Sequence, residues 1–286
     1  MILLDGYRVA HERNLALKTM IEQAVEQHSR APGLAIVLVG NDPASLSYCK
    51  GKATACTLVG IIHELIHLPE DIEENELVSH IELLNQDPRY DGIVLQLPLP
   101  KHLNEDMLTN LIAQDKDVDG FHVVNQGRLY QGKPTIKPAT PKGIMALLET
   151  YGIDPKGMCA VIVGRSNLVG FPVARLLMDA GATITVCHRQ TGDLAHHTKQ
   201  ADILVAAVGR PGLITKDMVK EDAVVVDVGV NRVDGKLVGD VDFAGVGEVA
   251  SHITPVPKGV GPMTINALLE NTFTLYEQHR ALDAPQ

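Results

Sequence analysis

Residues 158–189 read MCAVIVGRSNLVGFPVARLLMDAGATITVCHR, and the order of strand, tight turn, helix and strand written there decides the fold. Met158 to Val163 is an apolar run closed by Gly164, the pattern of a strand covered on both faces of a parallel sheet. The next segment carries Val173, Leu176 and Leu177 on one helical face and stops at Gly181. Ala182 to Val186 is then a second short strand, so the unit is βαβ. Its first turn aims backbone N–H groups at whatever sits on the helix N-terminus, which makes it a phosphate site.

The turn itself is Gly164-Arg165-Ser166-Asn167-Leu168-Val169-Gly170, with two glycines, and it departs from G-x-G-x-x-G. A strand-to-helix turn can need such glycines for geometry alone, so the end of the second strand has to separate the readings. NAD sites place Asp or Glu about 20 residues downstream to take the ribose hydroxyl. Here the strand ends in Cys187-His188-Arg189, with Arg165 already in the turn. Cations in place of the acid favour the 2′-phosphate of NADP.

Composition bounds the remainder. A chain of 286 residues is long for one α/β domain and comfortable for two. It is 45% hydrophobic with 3% aromatics and no Trp, so the core is built from Val, Ile, Leu and Ala, as in parallel sheets covered by helices. A net charge of -10 argues against a nucleic acid or an anionic membrane as partner. Apolar runs stay well short of the roughly 20 residues that span a bilayer, and Met1-Ile2-Leu3-Leu4-Asp5 does not read as a signal peptide. Cys49, Cys56, Cys159 and Cys187 form no C-x-x-C pair and read as buried, reduced thiols of a cytoplasmic protein. The twelve histidines show no ligand spacing, and no metal is expected.

Along the chain, helices and strands alternate twice. The spacing predicts a helix from Ala10 to His28, a strand from Gly33 to Gly40, a helix over 43–59 and a strand over 62–68. A helix from Glu74 to Asn85, a strand from Gly92 to Leu97 and a helix over 104–113 follow. Lys116 to Pro141 is rich in Gly, Pro and Asp without clear periodicity, which places the domain boundary there. Thr140-Pro141 then caps a helix carrying Ile144, Leu147, Leu148 and Tyr151.

Three residues of the first half carry candidate chemistry. On the helix over 43–59, Tyr48, Cys49, Lys52, Cys56 and Val59 share one sector, while Lys50 lies roughly 160° from Lys52 on the wheel. Lys52 is therefore a lone ammonium in a mainly apolar stripe. Its head either snorkels to water or is a catalytic group, since a desolvated lysine can serve as a proton acceptor. Gln96 stands at the carboxyl end of the strand GIVLQLPLP, where open α/β sheets bind ligands, although such an amide can simply satisfy a loop carbonyl. Asp119, in Lys116-Asp117-Val118-Asp119-Gly120, is either a turn residue or a carboxylate at the domain boundary.

Taken together, these segments resemble the bifunctional methylenetetrahydrofolate dehydrogenase/cyclohydrolase family over almost the whole chain. The similarity lies in VGNDPAS at 39–45, Tyr48-x3-Lys52, VLQLPLP at 94–100, KDVDGF at 116–121, GRSNLVG at 164–170, VGDVDF at 238–243 and TPVPKGVGPMT at 254–264. The resemblance implies catalytic roles for Lys52, Gln96 and Tyr48, and folate binding by these with Asp119 and Pro262. It implies NADP contacts from Gly164, Arg165, Ser166, His188, Arg189, Gly229, Val230 and Thr264. Lys258 stands where many relatives have glycine, Ala139 replaces a common Cys, and Phe171 often appears as a basic or small residue.

The implied fold is two α/β domains with a cleft between them. Residues 1–118 would form the folate-binding domain, with a C-terminal helix over about 265–282 packed back on it, and 119–264 the Rossmann-like NADP-binding domain. The implied activity is NADP-dependent oxidation of 5,10-methylene-tetrahydrofolate followed by hydrolysis to 10-formyl-tetrahydrofolate, in the cytoplasm, by a homodimer serving one-carbon metabolism and purine biosynthesis. A dehydrogenase alone, or a two-domain NADP enzyme for a small acid, shares the fold. The latter has no need of KDVDGF beside VLQLPLP.

Overall fold

A computed structural model describes residues 1–28 and 30–283. The chain divides into two compact units, one made of Met1–Ala10 with Thr140–Thr264, the other of His11–Ala139 with Ile265–Gln286.

The first unit is built on a six-stranded parallel sheet. Across it the strands run Ile2–Leu3, His252–Ile253, Val224–Asp227, Ile203–Ala206, Cys159–Val163 and Thr183–Cys187. The chain winds outward from Cys159–Val163 first to one side and then to the other, so the switch point lies between that strand and Ile203–Ala206. Ala160 to Val163 are buried, as a run covered on both faces requires. One core packs Leu4 and Val9 with Ile144, Leu147, Ile162, Val173 and Leu177; a second packs Val161, Val163, Leu204 and Val225 with Ile253.

The second unit holds a three-stranded parallel sheet ordered Ile62–Leu68, Gly33–Val39, Gly92–Leu95. The central strand is buried throughout, and its register with Gly92–Leu95 continues to Gln96, whose N–H donates to Val37 O at 2.8 Å. Helices Pro43–Val59, Glu74–Gln86 and Glu105–Leu111 pack around it, with parts of Gly6–His28 and Val260–Asp283.

Several expectations are corrected. The boundary does not fall between 118 and 119: Ile2–Leu3 pairs with His252–Ile253, while Asp119 to Ala139 stays with the second unit. Helix Gly6–His28 starts four residues before Ala10. Helix Val123–Tyr130 lies inside the stretch without periodicity, because it buries only Asn125 and Leu129 and starts on a His122 cap that accepts from Val124 N. Cys159 is exposed at the start of its strand, unlike Cys49, Cys56 and Cys187. Among the described residues no helix is long and apolar enough to cross a membrane, and no group of three or more His, Cys, Asp or Glu is placed to hold a metal.

Candidate active site and cofactor turn

Helix Pro43–Val59 is fixed at both ends by local chemistry. Asp42 accepts from Ser45 N at 2.8 Å, Pro43 occupies its first turn, and Gly60 closes it at φ 86° with its N–H on Cys56 O. The face it buries is Ser45, Cys49, Lys52, Cys56 and Val59, so Lys52 is drawn into the interior by its apolar neighbours. Only 6% of Lys52 is exposed. Its Nζ donates to Gln96 Oε1 at 3.0 Å, and Cys49 Sγ donates to the same oxygen at 3.7 Å. Gln96 Nε2 donates to Leu97 O at 2.7 Å, which fixes the amide with its oxygen toward the ammonium. A buried ammonium without partners would be far too costly, and this oriented acceptor offsets part of its desolvation. Tyr48, one turn before Lys52, is half-buried, and burial pushes its hydroxyl above the usual range.

Asp119 sits on a loop that its neighbours hold rigid. Asp117, buried, accepts from Phe121 N at 3.1 Å, His122 N at 2.8 Å and Asn125 Nδ2 at 2.9 Å. Lys116 Nζ donates to Leu84 O and Asp87 O, and Asn271 Nδ2 ties Val118 O to Lys137 O. Gly120, at φ 72°, has Pro138 N only 2.7 Å from where a Cβ would stand, so the residue after Asp119 must be glycine. The charged partners of this loop are thus used up in holding it, and Asp119 itself is left half-buried. Burial pushes its carboxyl up to about 6, with the Lys52 charge pulling it down and Asp117 pushing it up. Lys52, Gln96 and Asp119 therefore come together in the second unit.

In the first unit, the turn after Cys159–Val163 lies at the switch point. Gly164, at φ 128°, has Ala207 O 2.2 Å from a would-be Cβ, and Gly170 has Gly164 O at 2.1 Å, so both glycines are required by backbone contact. Ser166 Oγ accepts from Val169 N at 3.1 Å and Gly170 N at 3.3 Å. Two of the turn amides expected to face a phosphate are thus already used. Arg165 and Ser166 are exposed. At the end of the neighbouring strand, His188 N donates to Thr191 Oγ1 at 2.8 Å and His188 Nδ1 accepts from Gln190 N at 3.2 Å, which preforms the turn carrying exposed Arg189. A glycine turn carrying Arg165, with cations at the end of the second strand, suits NADP.

Gly229 is buried and Val230 exposed on the loop after Val224–Asp227. Thr264 shares a hydrogen bond of 3.0 Å with Thr140. Pro262 lies in the first turn of helix Val260–Asp283 and belongs to this unit, not to the one carrying Tyr48, Lys52, Gln96 and Asp119. Lys258 adopts φ 81°, a conformation natural to glycine.

Sequence reading gave no role to Asp227 and Asp240. Both are buried carboxylates. Burial pushes the Asp227 carboxyl up to about 6. Their signal in the sequence is an acid set beside or near glycine in DVGVN and VGDVDF.

Two parallel α/β units, one with a glycine turn and cation-ended strand, the other with a buried lysine beside an oriented amide and a carboxylate, define a dinucleotide-dependent enzyme with a second polar site. The chain belongs to the tetrahydrofolate dehydrogenase/cyclohydrolase family: residues 4–119 match its catalytic domain and residues 138–280 its NAD(P)-binding domain. The chain is 51% identical over 280 residues to the bifunctional protein FolD of Nitratiruptor sp., covering 98% of this chain and 99% of that one. The bifunctional dehydrogenase/cyclohydrolase structure from Campylobacter jejuni superposes with a TM-score of 0.94 at 48% identity, covering 98% and 99% of the two chains. The Trypanosoma brucei enzyme, solved with NADP cofactor and an inhibitor, also gives 0.94, at 34% identity over 98% of each chain.

Proposed function

We propose that Lys52, Gln96, Tyr48 and Asp119 form one folate site that serves two reactions, oxidation of 5,10-methylene-tetrahydrofolate and hydrolysis of the methenyl product to 10-formyl-tetrahydrofolate. The observation that carries the reading is the 3.0 Å bond from buried Lys52 Nζ to Gln96 Oε1, with Asp119 close enough to feel the ammonium. In hydrolysis, water adds to the methenyl carbon and gives up a proton, and the carbon–N5 bond then breaks as the adduct hydroxyl loses its proton and N5 takes one up, which leaves the formyl group on N10. Lys52 Nζ is the group that moves the proton of the attacking water, and Gln96 holds Nζ in one direction. Asp119 accepts hydrogen bonds from the ring N–H and amino group of the pterin, as a carboxylate can and an amide cannot. Tyr48 packs on the aminobenzoate with its hydroxyl kept neutral.

Bound NADP+ supplies the hydride acceptor for the oxidation. Gly164, Arg165, Ser166, His188, Arg189, Gly229, Val230 and Thr264 would hold it, with Arg165 and Arg189 on the 2′-phosphate. Oxidation leaves a cation on the bridge and so needs orientation more than an acid. The same reading makes the protein a cytoplasmic homodimer supplying one-carbon units to purine biosynthesis, with residues 4–119 as the folate half and 138–280 as the dinucleotide half. Its support is family membership. One assay tests the activity: NADPH and methenyl absorbance are followed together after methylene-tetrahydrofolate is added. NADPH should rise with methenyl decaying faster than in buffer, and NADPH rising over methenyl that decays only at the buffer rate would reduce the protein to a dehydrogenase.

A further inference from the structure

The mechanism leaves unused the two most thoroughly hydrogen-bonded carboxylates of the first unit. Asp240, 0% exposed, accepts four hydrogen bonds: Val208 N at 2.7 Å and Gly209 N at 3.0 Å on Oδ2, Arg210 N at 2.8 Å and Asn231 Nδ2 at 3.0 Å on Oδ1. Asp227, 3% exposed, accepts from Gly229 N at 3.0 Å, Asp240 N at 2.9 Å and Val241 N at 2.9 Å. Asp227 thus holds the backbone of Asp240, and Asp240 holds the loop Val208–Arg210. The glycines between them are dictated by the same pair. A Cβ on Gly229 would stand 2.2 Å from Asp240 Oδ1, and one on Gly239 would stand 1.8 Å from Asp227 Oδ2.

The two loops gripped in this way leave neighbouring parallel strands, Ile203–Ala206 and Val224–Asp227, at their carboxyl ends. The first is also the wall of the glycine turn, since Ala207 O is the atom that forbids a side chain at Gly164. Buried carboxylates that each collect three or four N–H groups set backbone position far more tightly than packing of an exposed loop can, and both loops expose apolar side chains, Val208 and Val230.

We propose that Asp240, anchored by Asp227, is a positioning residue for the dinucleotide: it fixes the Val208–Arg210 loop and Gly229–Val230 as a preformed surface for NADP+, without touching the cofactor. This rests on the first unit being the dinucleotide unit. Asp240→Asn replaces one acceptor oxygen with an NH2 that faces backbone donors, so the loop has to move.

The test measures NADP+ dissociation constants by titration, cyclohydrolase activity without cofactor, and melting temperature, for wild type, Asp240→Asn and the milder Asn231→Ala. Asp240→Asn should bind NADP+ at least tenfold more weakly and Asn231→Ala about threefold, both with methenyl hydrolysis within twofold of wild type. NADP+ affinity within twofold of wild type in folded Asp240→Asn overturns the proposal. So does parallel loss of hydrolysis and NADP+ binding, which marks a general structural role. Should Asp240→Asn not fold, Asn231→Ala decides alone, unchanged NADP+ affinity overturning the proposal. A wild type that fails to bind NADP+ overturns the dinucleotide assignment itself.

Discussion

At the scale of single residues, Lys52 shows how an apolar stripe can deliver a charge to a site. Its helix buries five positions for packing, and the fourth residue after Tyr48 happens to carry an ammonium that meets an amide already oriented by Leu97 O. Lys52→Met keeps the length and apolar stem of the side chain, so the fold and NADP+ affinity should persist, while methenyl hydrolysis should fall by about 10²- to 10⁴-fold, the usual worth of a positioned proton-transfer group. Hydrolysis of the variant near the wild-type margin over buffer would remove Lys52 from the chemistry. Asp119 gives a second prediction with a definite sign. Its carboxyl is pushed up to about 6, so above that pH it is a carboxylate with two free acceptors, and below it one oxygen becomes a donor facing the donors of the pterin. Folate affinity should weaken as pH falls through about 6. For folding the same shift acts the other way: the contribution of a raised carboxyl is complete below its ordinary value of 3.8 and is lost as pH rises through about 6. Asp119→Asn should raise the folate dissociation constant by about 1.5 kcal/mol, roughly tenfold, remove the acid limb and leave NADP+ affinity unchanged. Calorimetric titration between pH 5 and 8, in steps of about one unit, checks this, and unchanged folate affinity would leave Asp119 a turn residue. Lys52 stood out before the structure because it breaks an apolar stripe, whereas Asp119 lies in a stretch without periodicity and was singled out by its place at the expected domain boundary. The grip of Asp117 on residues 121–125 was not readable, because the bonds that decide it cross between turns.

At the scale of elements, segments bounded by clear cap and turn signals were readable to within a residue or two, as in Pro43–Val59, set between Asp42 and Gly60. Elements whose burial comes from few side chains were not. Helix Val123–Tyr130 presents only two buried positions, too few for a period to show. The cofactor turn was readable as a strand-turn-helix, yet its chemistry is only half as expected, because Ser166 Oγ takes two of the amides that a phosphate was to receive. That shifts the burden of anion binding toward side chains. Arg165 stands exposed at the start of the turn, with Arg189 exposed on the preformed turn of the adjacent strand. Arg165→Ala should weaken NADP+ by about 1.5 to 3 kcal/mol, roughly tenfold to a hundredfold, and leave NAD+ almost unchanged, since only NADP+ presents the 2′-phosphate. Titration with each dinucleotide measures the discrimination. Equal wild-type affinity for the two would mean that the cations at these strand ends select nothing.

At the scale of the whole molecule, what the sequence could not reveal is the path of its own first ten residues. Two-residue strands have no period, and nothing local in Ile2-Leu3 says that it pairs with His252–Ile253, some 250 positions on. Order along the chain therefore suggested that residues 1–118 belong together. In the folded protein Ile2 N donates to Ser251 O at 2.6 Å and Leu4 N to Ile253 O at 2.9 Å, while the Leu4 side chain, 0% exposed, packs in the core with Ile144, Leu147 and Met263. Leu4 is thus a core residue of the unit that carries the glycine turn, although it is the first residue matched to the family's catalytic domain. Leu4→Ala removes a fully buried side chain and should cost about 2 to 5 kcal/mol, the range for such truncations. The loss should appear where the core is shared: amide exchange at Ile162 and Val226 should quicken, and excess NADP+ should restore much of the protection by binding the folded form, about 2.7 kcal/mol at a hundredfold excess over the dissociation constant. Exchange along Leu34 to Val39, which packs in a different core, should stay as in wild type. If Leu34 to Val39 loses protection instead, and Ile162 and Val226 do not, the N-terminal segment stabilises the lysine-bearing unit and the division after Ala10 is wrong.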